Sequence, residues 1–422
     1  MRILYSALTE YFWMHIVEVV NNLAEMGHEV HVAGFLKSRP KRLHPSVVFY
    51  NITLSNRGFR EAIDRDFWKN LLRYGHERLL SGQKLSFYES WILHLLDNTS
   101  FDLVYERRND FNPAIALAKK YGIPSILEIN GIQSIEFKWK GYKPDEIKHL
   151  LDNELRAIED STKVICVAQG IRDYFVEKGF NPNKFKIIPN GVNIDLFYPM
   201  DKEKCRQQSG FLLNDRIIGF TGSMQFFYEI DCAIKAMPKI LRNFPDTRFV
   251  VVGREYPFPL GHSKDTLRAL ARQLGVLSKI DFLPPVPYEK VPTYINSFDV
   301  CLLPIVKREK WYAGISPLKF REYLACGKPV VASNVPGEAQ MVREIGAGLL
   351  YEPGNPESLA DNICTILKDK QLTKQMGENG HKNVLTRGTW KQAAEKILMT
   401  AEETIKEVNY RGCEKTLSAS LR

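Results

Sequence analysis

Two stretches of this chain open in the same way, and that repetition constrains the fold more than any other feature. Residues 2–6 read as a strand that feeds a loop and then a helical stretch at 15–26, after which Gly27 stops the helix and a strand resumes at 29–33. Residues 217–221 repeat the opening, with a Gly222-Ser223 loop and a helical pattern from about 229 to 242. Further strands are predicted at 103–105, 125–128, 164–167 and 186–188, and again at 249–252, 280–282 and 300–303. Strands that alternate with helices of about ten residues or more form parallel sheets with right-handed crossovers. The expected class is therefore α/β, with two Rossmann-like domains facing each other across a cleft. Ligands of such sheets sit beyond the carboxyl ends of the strands, which here means in that cleft.

A chain of 422 residues exceeds what one hydrophobic core usually serves and predicts about two or three domains. Pro189-Asn-Gly-Val-Asn-Ile-Asp-Leu-Phe-Tyr-Pro199 punctuates the exit from the last strand of the first half. The expected units are residues 1–195, residues 196–388, a final helix at 389–410 and a polar, frayed tail at 411–422.

No run of about 18 apolar residues occurs, and the chain enters its first strand without the apolar core of a signal peptide. The expectation is a cytoplasmic protein, or one attached peripherally to the inner face of a membrane. Seven scattered cysteines without a Cys-x-x-Cys pair argue against a zinc site or a disulfide framework. A net charge of +9 favours anionic partners, among them nucleotides and lipid head groups. Nucleic acid ranks last, because no reader motif is visible and the basic residues are spread along the chain.

The segment Gly314-Ile315-Ser316-Pro317-Leu318-Lys319-Phe-Arg-Glu322-Tyr-Leu-Ala-Cys-Gly327-Lys-Pro329 reads as a phosphate-binding helix start joined to a buried strand at 330–332. Ser316 at the N-cap and Pro317 at the first helical position suit a helix start. Gly327 then supplies a left-handed stop, and Pro329 prevents continuation. Free N–H groups and the positive end of the helix dipole can face an anion there, with Glu322 in reach of a neighbouring ribose hydroxyl.

This segment resembles the donor-binding motif of the retaining, family-4 glycosyltransferases with the two-domain GT-B fold. The resemblance implies transfer of a hexose-type sugar from a nucleoside diphosphate donor to an acceptor alcohol, which can be a glycan, a lipid or a small molecule. It implies that Glu322 holds the ribose, that the loop through Gly314, Ile315, Ser316, Pro317 and Leu318 meets the diphosphate and sugar, and that the final helix crosses back onto the first domain. The family often carries a second glutamate where this chain has Gly314. Likewise Ser223 and Tyr228 stand where an arginine and a lysine normally neutralise the diphosphate. Lys319 is the leading replacement cation, with Arg254, after the 250–252 strand and Gly253, the second candidate; an exposed Lys319–Glu322 pair is the plainer alternative. Gly222 and Ser223 complete the expected donor loop, and the proline-rich stretch 283–292 resembles the family's loop near the base. No cofactor or metal is expected.

On the acceptor side, His15 lies near the start of the first helix, where the family often has a histidine, and is assigned with Lys319 as a catalytic group. Thr9 and Glu10 follow the first strand, Arg107 and Arg108 follow another, and Glu128-Ile-Asn130-Gly131 ends a third on the same edge, where it could meet an acceptor. The plainer readings are a helix-surface histidine, an Arg–Asp110 pair and a capped turn. Asp64-Arg65-Asp66 matches a metal-binding aspartate pair but lies in an apparent helix. The aromatic and basic stretch 67–96 reads as amphipathic helices packed on the sheet, or as a lipid-docking surface with interfacial Trp and Phe. Two other readings stay open: a catalytically degenerate sugar-nucleotide or glycan binder, and an epimerase or phosphorylase of the same fold. A nicotinamide dehydrogenase is disfavoured, since neither half follows its first strand with Gly-x-Gly-x-x-Gly.

Overall fold

The computed structural model describes residues 1–7, 13–34, 39–51, 87–107, 112–225, 227–255, 263–307 and 316–420. Apolar, β-branched runs make two all-parallel sheets. The first contains β1 (Arg2–Ala7), β2 (Glu29–Gly34), β3 (Val48–Asn51), β4 (Leu103–Arg107), β5 (Ser125–Ile129), β6 (Lys163–Cys166) and β7 (Phe185–Ile187), in the order β3-β2-β1-β4-β5-β6-β7. The second contains β8 (Arg216–Thr221), β9 (Thr247–Val252), β10 (Ile280–Leu283), β11 (Val300–Leu303), β12 (Val330–Ser333) and β13 (Gly348–Tyr351), in the order β10-β9-β8-β11-β12-β13. Each is a Rossmann-like sheet whose chain order reverses next to its first strand, at β1/β4 and at β8/β11. A crevice opens at such a reversal, on the carboxyl edge of the strands.

The central strands are buried on both faces, as helices on both sides of a parallel sheet require. Close packing explains Gly219 within β8: a β-carbon there would lie 1.9 Å from the Phe298 ring. The sequence reading missed β3 and β13, which are the outermost members of their sheets. Both are short, Val48 in β3 is exposed, and β13 begins with a glycine whose β-carbon would strike the Val330 carbonyl at 1.9 Å. Neither run carries the apolar signal of a central strand.

The segment after β7 ends at the helix Lys202–Ser209. Within it Val192 N–H donates to Gly388 O at 2.9 Å, and Trp390 N–H donates to Val192 O at 3.2 Å. The last helix, Trp390–Ser420, returns to the first sheet: Trp390, Ala394, Ile397 and Ala401 are buried in one cluster with Ile16, Val20 and Leu103. It runs ten residues beyond the end expected at residue 410 and includes most of the stretch expected to fray. Of the aromatic and basic stretch, the described part is the helix Phe87–Asn98. It buries Ile92, Leu93, Leu95 and Leu96 against Leu4 and Val104, which is the packing reading. Residues 52–86, including Asp64 and Asp66, lie outside the described residues.

Candidate functional site

The second domain builds its site at the carboxyl ends of β8 and β9. Gly222 takes a positive φ of 116°, where a side chain is strained, and its β-carbon would lie 3.0 Å from Lys319 Nζ. A β-carbon on Gly253 would overlap the Gly222 carbonyl oxygen at 1.8 Å. The two glycines thus let two strand ends and one lysine converge. Ser223, half-buried beside them, accepts a hydrogen bond from Gln225 Nε2 at 3.0 Å. Arg254 follows β9 and is exposed, its carbonyl accepting from Met224 N–H.

Above this floor lies the helix Leu318–Ala325, which starts one residue later than the sequence suggests. Ser316 makes no capping bond; Pro317 is the residue at the cap, and the Ser316 carbonyl accepts from Asn190 Nδ2 at 2.9 Å. Leu318 packs on the core of the first domain, so this end of the helix also serves as an interdomain contact. Tyr323 pins the helix to β8, because its hydroxyl accepts from Thr221 N–H at 2.9 Å. Replacing Tyr323 by Phe strands that buried N–H. The expected cost is about 1–3 kcal/mol, together with weaker ligand binding beside Lys319. Urea melts and nucleotide titrations of the variant would show both, and an unchanged melting midpoint would contradict this role.

Lys319 and Glu322 do not form the exposed pair of the plainer reading; both are buried, at 9% and 7% exposure. The Lys319 ammonium lies 3.6 Å from the Tyr228 ring centroid and 4.1 Å from that of Phe220. Aromatic faces attract a cation without neutralising it. Among the described residues Lys319 makes no ion pair, and burial pushes its pKa well below the usual lysine value, against the pull of Glu322. Glu322 accepts from the Tyr288 hydroxyl at 2.9 Å. Burial raises its carboxyl to about 7, even though Tyr288 and Lys319 both favour the ionised form. Tyr288, in the proline-rich loop, is approached by Arg42, whose guanidinium lies 5.8 Å from the ring centroid. Arg42 in turn pairs with Glu18 of the first helix at 2.7 Å, and Asn193 donates to both Glu18 oxygens. A chain of polar contacts therefore runs from the first domain to Glu322.

The first domain gathers its candidates around one carboxylate. His15 is no surface residue: it is buried edge-on against Trp390, and its Nε2 lies 2.7 Å from Glu128 Oε1. Tyr105 donates its hydroxyl to Glu128 Oε2 at 2.5 Å, and Asn130 donates Nδ2 to Oε1 at 2.6 Å. Asn130 thus bonds to a side chain instead of capping a turn. Burial alone would raise the Glu128 carboxyl, yet His15, Arg107 and Tyr105 together outweigh it and hold the group below the usual carboxylate range. Burial pushes the His15 pKa down, against the pull of Glu128. Gly131 follows, where a β-carbon would displace the Glu136 carboxylate, whose Oε1 lies 2.0 Å from that point.

Sequence reasoning places Glu128 at a strand end on this edge but misses that it organises the cluster, and it misses Tyr5 and Tyr105. The signal was available in the register: Tyr5 pairs with Tyr105 and Tyr105 with Ile126, and Glu128 lies two residues further on the same face. The expected Thr9, Glu10, Gly314 and Ile315 lie outside the described residues, as do Arg108 and Asp110.

Comparison with known proteins supplies the context for this geometry. Residues 13–196 match the family model described as Glycosyltransferase Family 4, and residues 201–383 match the one described as Glycosyl transferases group 1. A D-inositol 3-phosphate glycosyltransferase of Corynebacterium glutamicum is 25% identical over 258 residues, which is 60% of this chain and 60% of that relative. One from Thermobispora bispora is 23% identical over 94% of this chain and 90% of the relative. Among solved structures, Anabaena HepE in complex with UDP and glucose has a TM-score of 0.72 at 18% identity, covering 96% of this chain and all of that one. Sucrose-phosphate synthase from Thermosynechococcus elongatus has a TM-score of 0.71 at 16% identity, with the same coverage.

Proposed function

Because the chain belongs to the family-4 glycosyltransferases with the GT-B fold, we propose that it moves a sugar from a nucleoside diphosphate-sugar to an acceptor alcohol with retention of configuration and without a metal. The observation that carries this reading is the convergence of Lys319, Glu322, Gly222 and Gly253 at the carboxyl ends of β8 and β9. A diphosphate leaving group needs a counter-charge, and Lys319 offers a desolvated ammonium, without an ion pair among the described residues, on the very ring, Tyr228, that replaces the family's lysine. The cation is thus supplied from the helix instead of the loop, which favours a working site over a degenerate one. Glu322 is placed to accept ribose hydroxyls in exchange for the Tyr288 hydroxyl.

In the proposed step the bond from the anomeric carbon to the diphosphate oxygen breaks and the acceptor oxygen bonds to the same face. The acceptor proton passes to the departing phosphate. Lys319 and the backbone N–H groups stabilise the charge that develops there, so the protein positions and stabilises without a side-chain nucleophile. His15 and Asn130, fixed by Glu128, shape the acceptor side. A cytoplasmic location or a peripheral one on the inner membrane face belongs to the same proposal; among the described residues no helix is long and apolar enough to cross a membrane.

The test is a thermal-shift screen against UDP, GDP, ADP, dTDP and their sugar conjugates, with and without magnesium, followed by proton NMR of the product's anomeric centre. A shift with one base, no metal effect and a retained anomer are expected. No shift with any nucleotide would favour the degenerate reading, and product formed without an acceptor alcohol would favour an epimerase or phosphorylase.

Donor affinity should depend on pH in a bell shape. Ribose hydroxyls donate to ionised Glu322, so affinity rises with pH through about 7, the carboxyl's raised pKa. At higher pH affinity falls again as Lys319, whose pKa burial lowers, loses the proton that the diphosphate needs. Calorimetric titrations should show that Glu322→Gln removes the acid limb and Lys319→Arg moves the alkaline limb upward. A flat profile in the unsubstituted protein would contradict both assignments.

A further inference from the structure

On the far side of the donor helix from Lys319, a cavity of about 220 Å³ lies where Ile188–Asn190, the helix Lys370–Arg387 and the start of the last helix meet. Its lining includes three cations, Arg321, Arg387 and Lys396, and one carboxylate, Glu344. None of the three cations forms an ion pair among the described residues. Glu344 already accepts from Gln340 Nε2 at 2.7 Å. Arg321 is half-buried, its Nη1 only 3.1 Å from where a β-carbon on Gly388 would stand, which sets the guanidinium at the break between the two last helices. Burial lowers its pKa to about 10, so it keeps its charge at neutral pH. Cations gathered around a concave space concentrate positive potential, and a guanidinium fork suits a phosphate oxygen pair. Asn383 adds an amide group to the same wall.

We propose that this hinge cavity is a second anion site, distinct from the donor site, that takes a phosphate dianion, either free or as the phosphomonoester of a small metabolite. Three cations against one carboxylate leave an excess that a dianion balances. Arg321 and Arg387 belong to the second domain, whereas Lys396 is on the helix packed against the first. The bound dianion therefore bridges the two domains, and its occupancy is linked to their relative position.

The experiment is calorimetric titration of the full-length protein with inorganic phosphate and with glycerol 3-phosphate, repeated on Arg321→Gln, Lys396→Gln and Lys319→Ala. Saturable binding should weaken by about tenfold or more in each of the first two variants and persist in Lys319→Ala. The stronger of the two ligands identifies free phosphate or a phosphomonoester as the occupant. Because Lys396 is exposed on a different helix from Arg321, loss of folding in one variant leaves the other informative. The proposal is overturned if neither ligand binds, if both cavity variants bind as tightly as the parent, or if Lys319→Ala alone abolishes binding, which would place the anion in the donor site. None of these outcomes depends on whether sugar transfer is observed.

Discussion

Replacing Lys319 by alanine is expected to lower kcat by about 10²–10³, the range found when one preorganised stabiliser of developing charge is removed. The expectation rests on where the ammonium sits. It is desolvated on the faces of Tyr228 and Phe220, next to the Gly222 turn, and among the described residues it makes no ion pair. An ordinary surface lysine is hydrated and screened, and its removal changes little. A desolvated cation acts at lower effective dielectric and has lost its water before the reaction begins. Lys319→Met separates charge from packing, since it keeps an apolar stem between the two rings while deleting the ammonium. Both variants should lose turnover to a similar extent and melt at similar denaturant concentrations. If Lys319→Met retained full turnover, the cation would have no part in the chemistry. Glu322→Ala should act differently, weakening donor binding by removing a ribose partner. A change in KM without loss of kcat is its signature.

These effects also bear on what the sequence could reveal. The two-sheet architecture was legible because central parallel strands carry continuous apolar runs, and those runs mark all but β3 and β13. Glu322 and Lys319 were legible because a helix start, a left-handed glycine and a buried strand follow one another in a short stretch. The contact between Lys319 and Tyr228 was not, since it joins side chains 91 positions apart through a fold that only the sheet order defines. The same holds for Ser316: Ser-Pro suits a helix cap locally, but Asn190, from 126 positions away, takes its carbonyl, and the helix begins one residue later. The candidate site of the first domain was legible as a set of strand ends and not as a network. Arg107, Asn130 and His15 come together only because β4, β5 and the first helix share one edge, with Glu128 at the centre.

That centre carries the second large effect. Glu128→Ala is expected to destabilise the protein by about 3–5 kcal/mol, the cost of breaking a buried, hydrogen-bonded charged group by deleting one side. The carboxylate accepts from His15 Nε2, the Tyr105 hydroxyl and Asn130 Nδ2, all in a buried setting, and alanine leaves these donors without an acceptor. The loss has a defined pH dependence. The Glu128 carboxyl titrates below its unfolded value, so its contribution is complete above the usual carboxylate range and fades only as pH falls below it. Glu106, on the adjoining strand, behaves oppositely. Burial raises it to about 8, although Ser6 and the Ile115 N–H bond to its oxygens. Its folded form holds a proton that the unfolded chain releases, so stability declines as pH rises from about 4.5 to 8. Urea melts should therefore show Glu128→Ala weaker than the parent throughout this range, with the difference shrinking only below the usual carboxylate range. Glu106→Gln should instead flatten the decline towards pH 8. An alanine at position 128 that melts with the parent at neutral pH would mean that His15, Tyr105 and Asn130 find other partners, and that Glu128 does not organise this cluster.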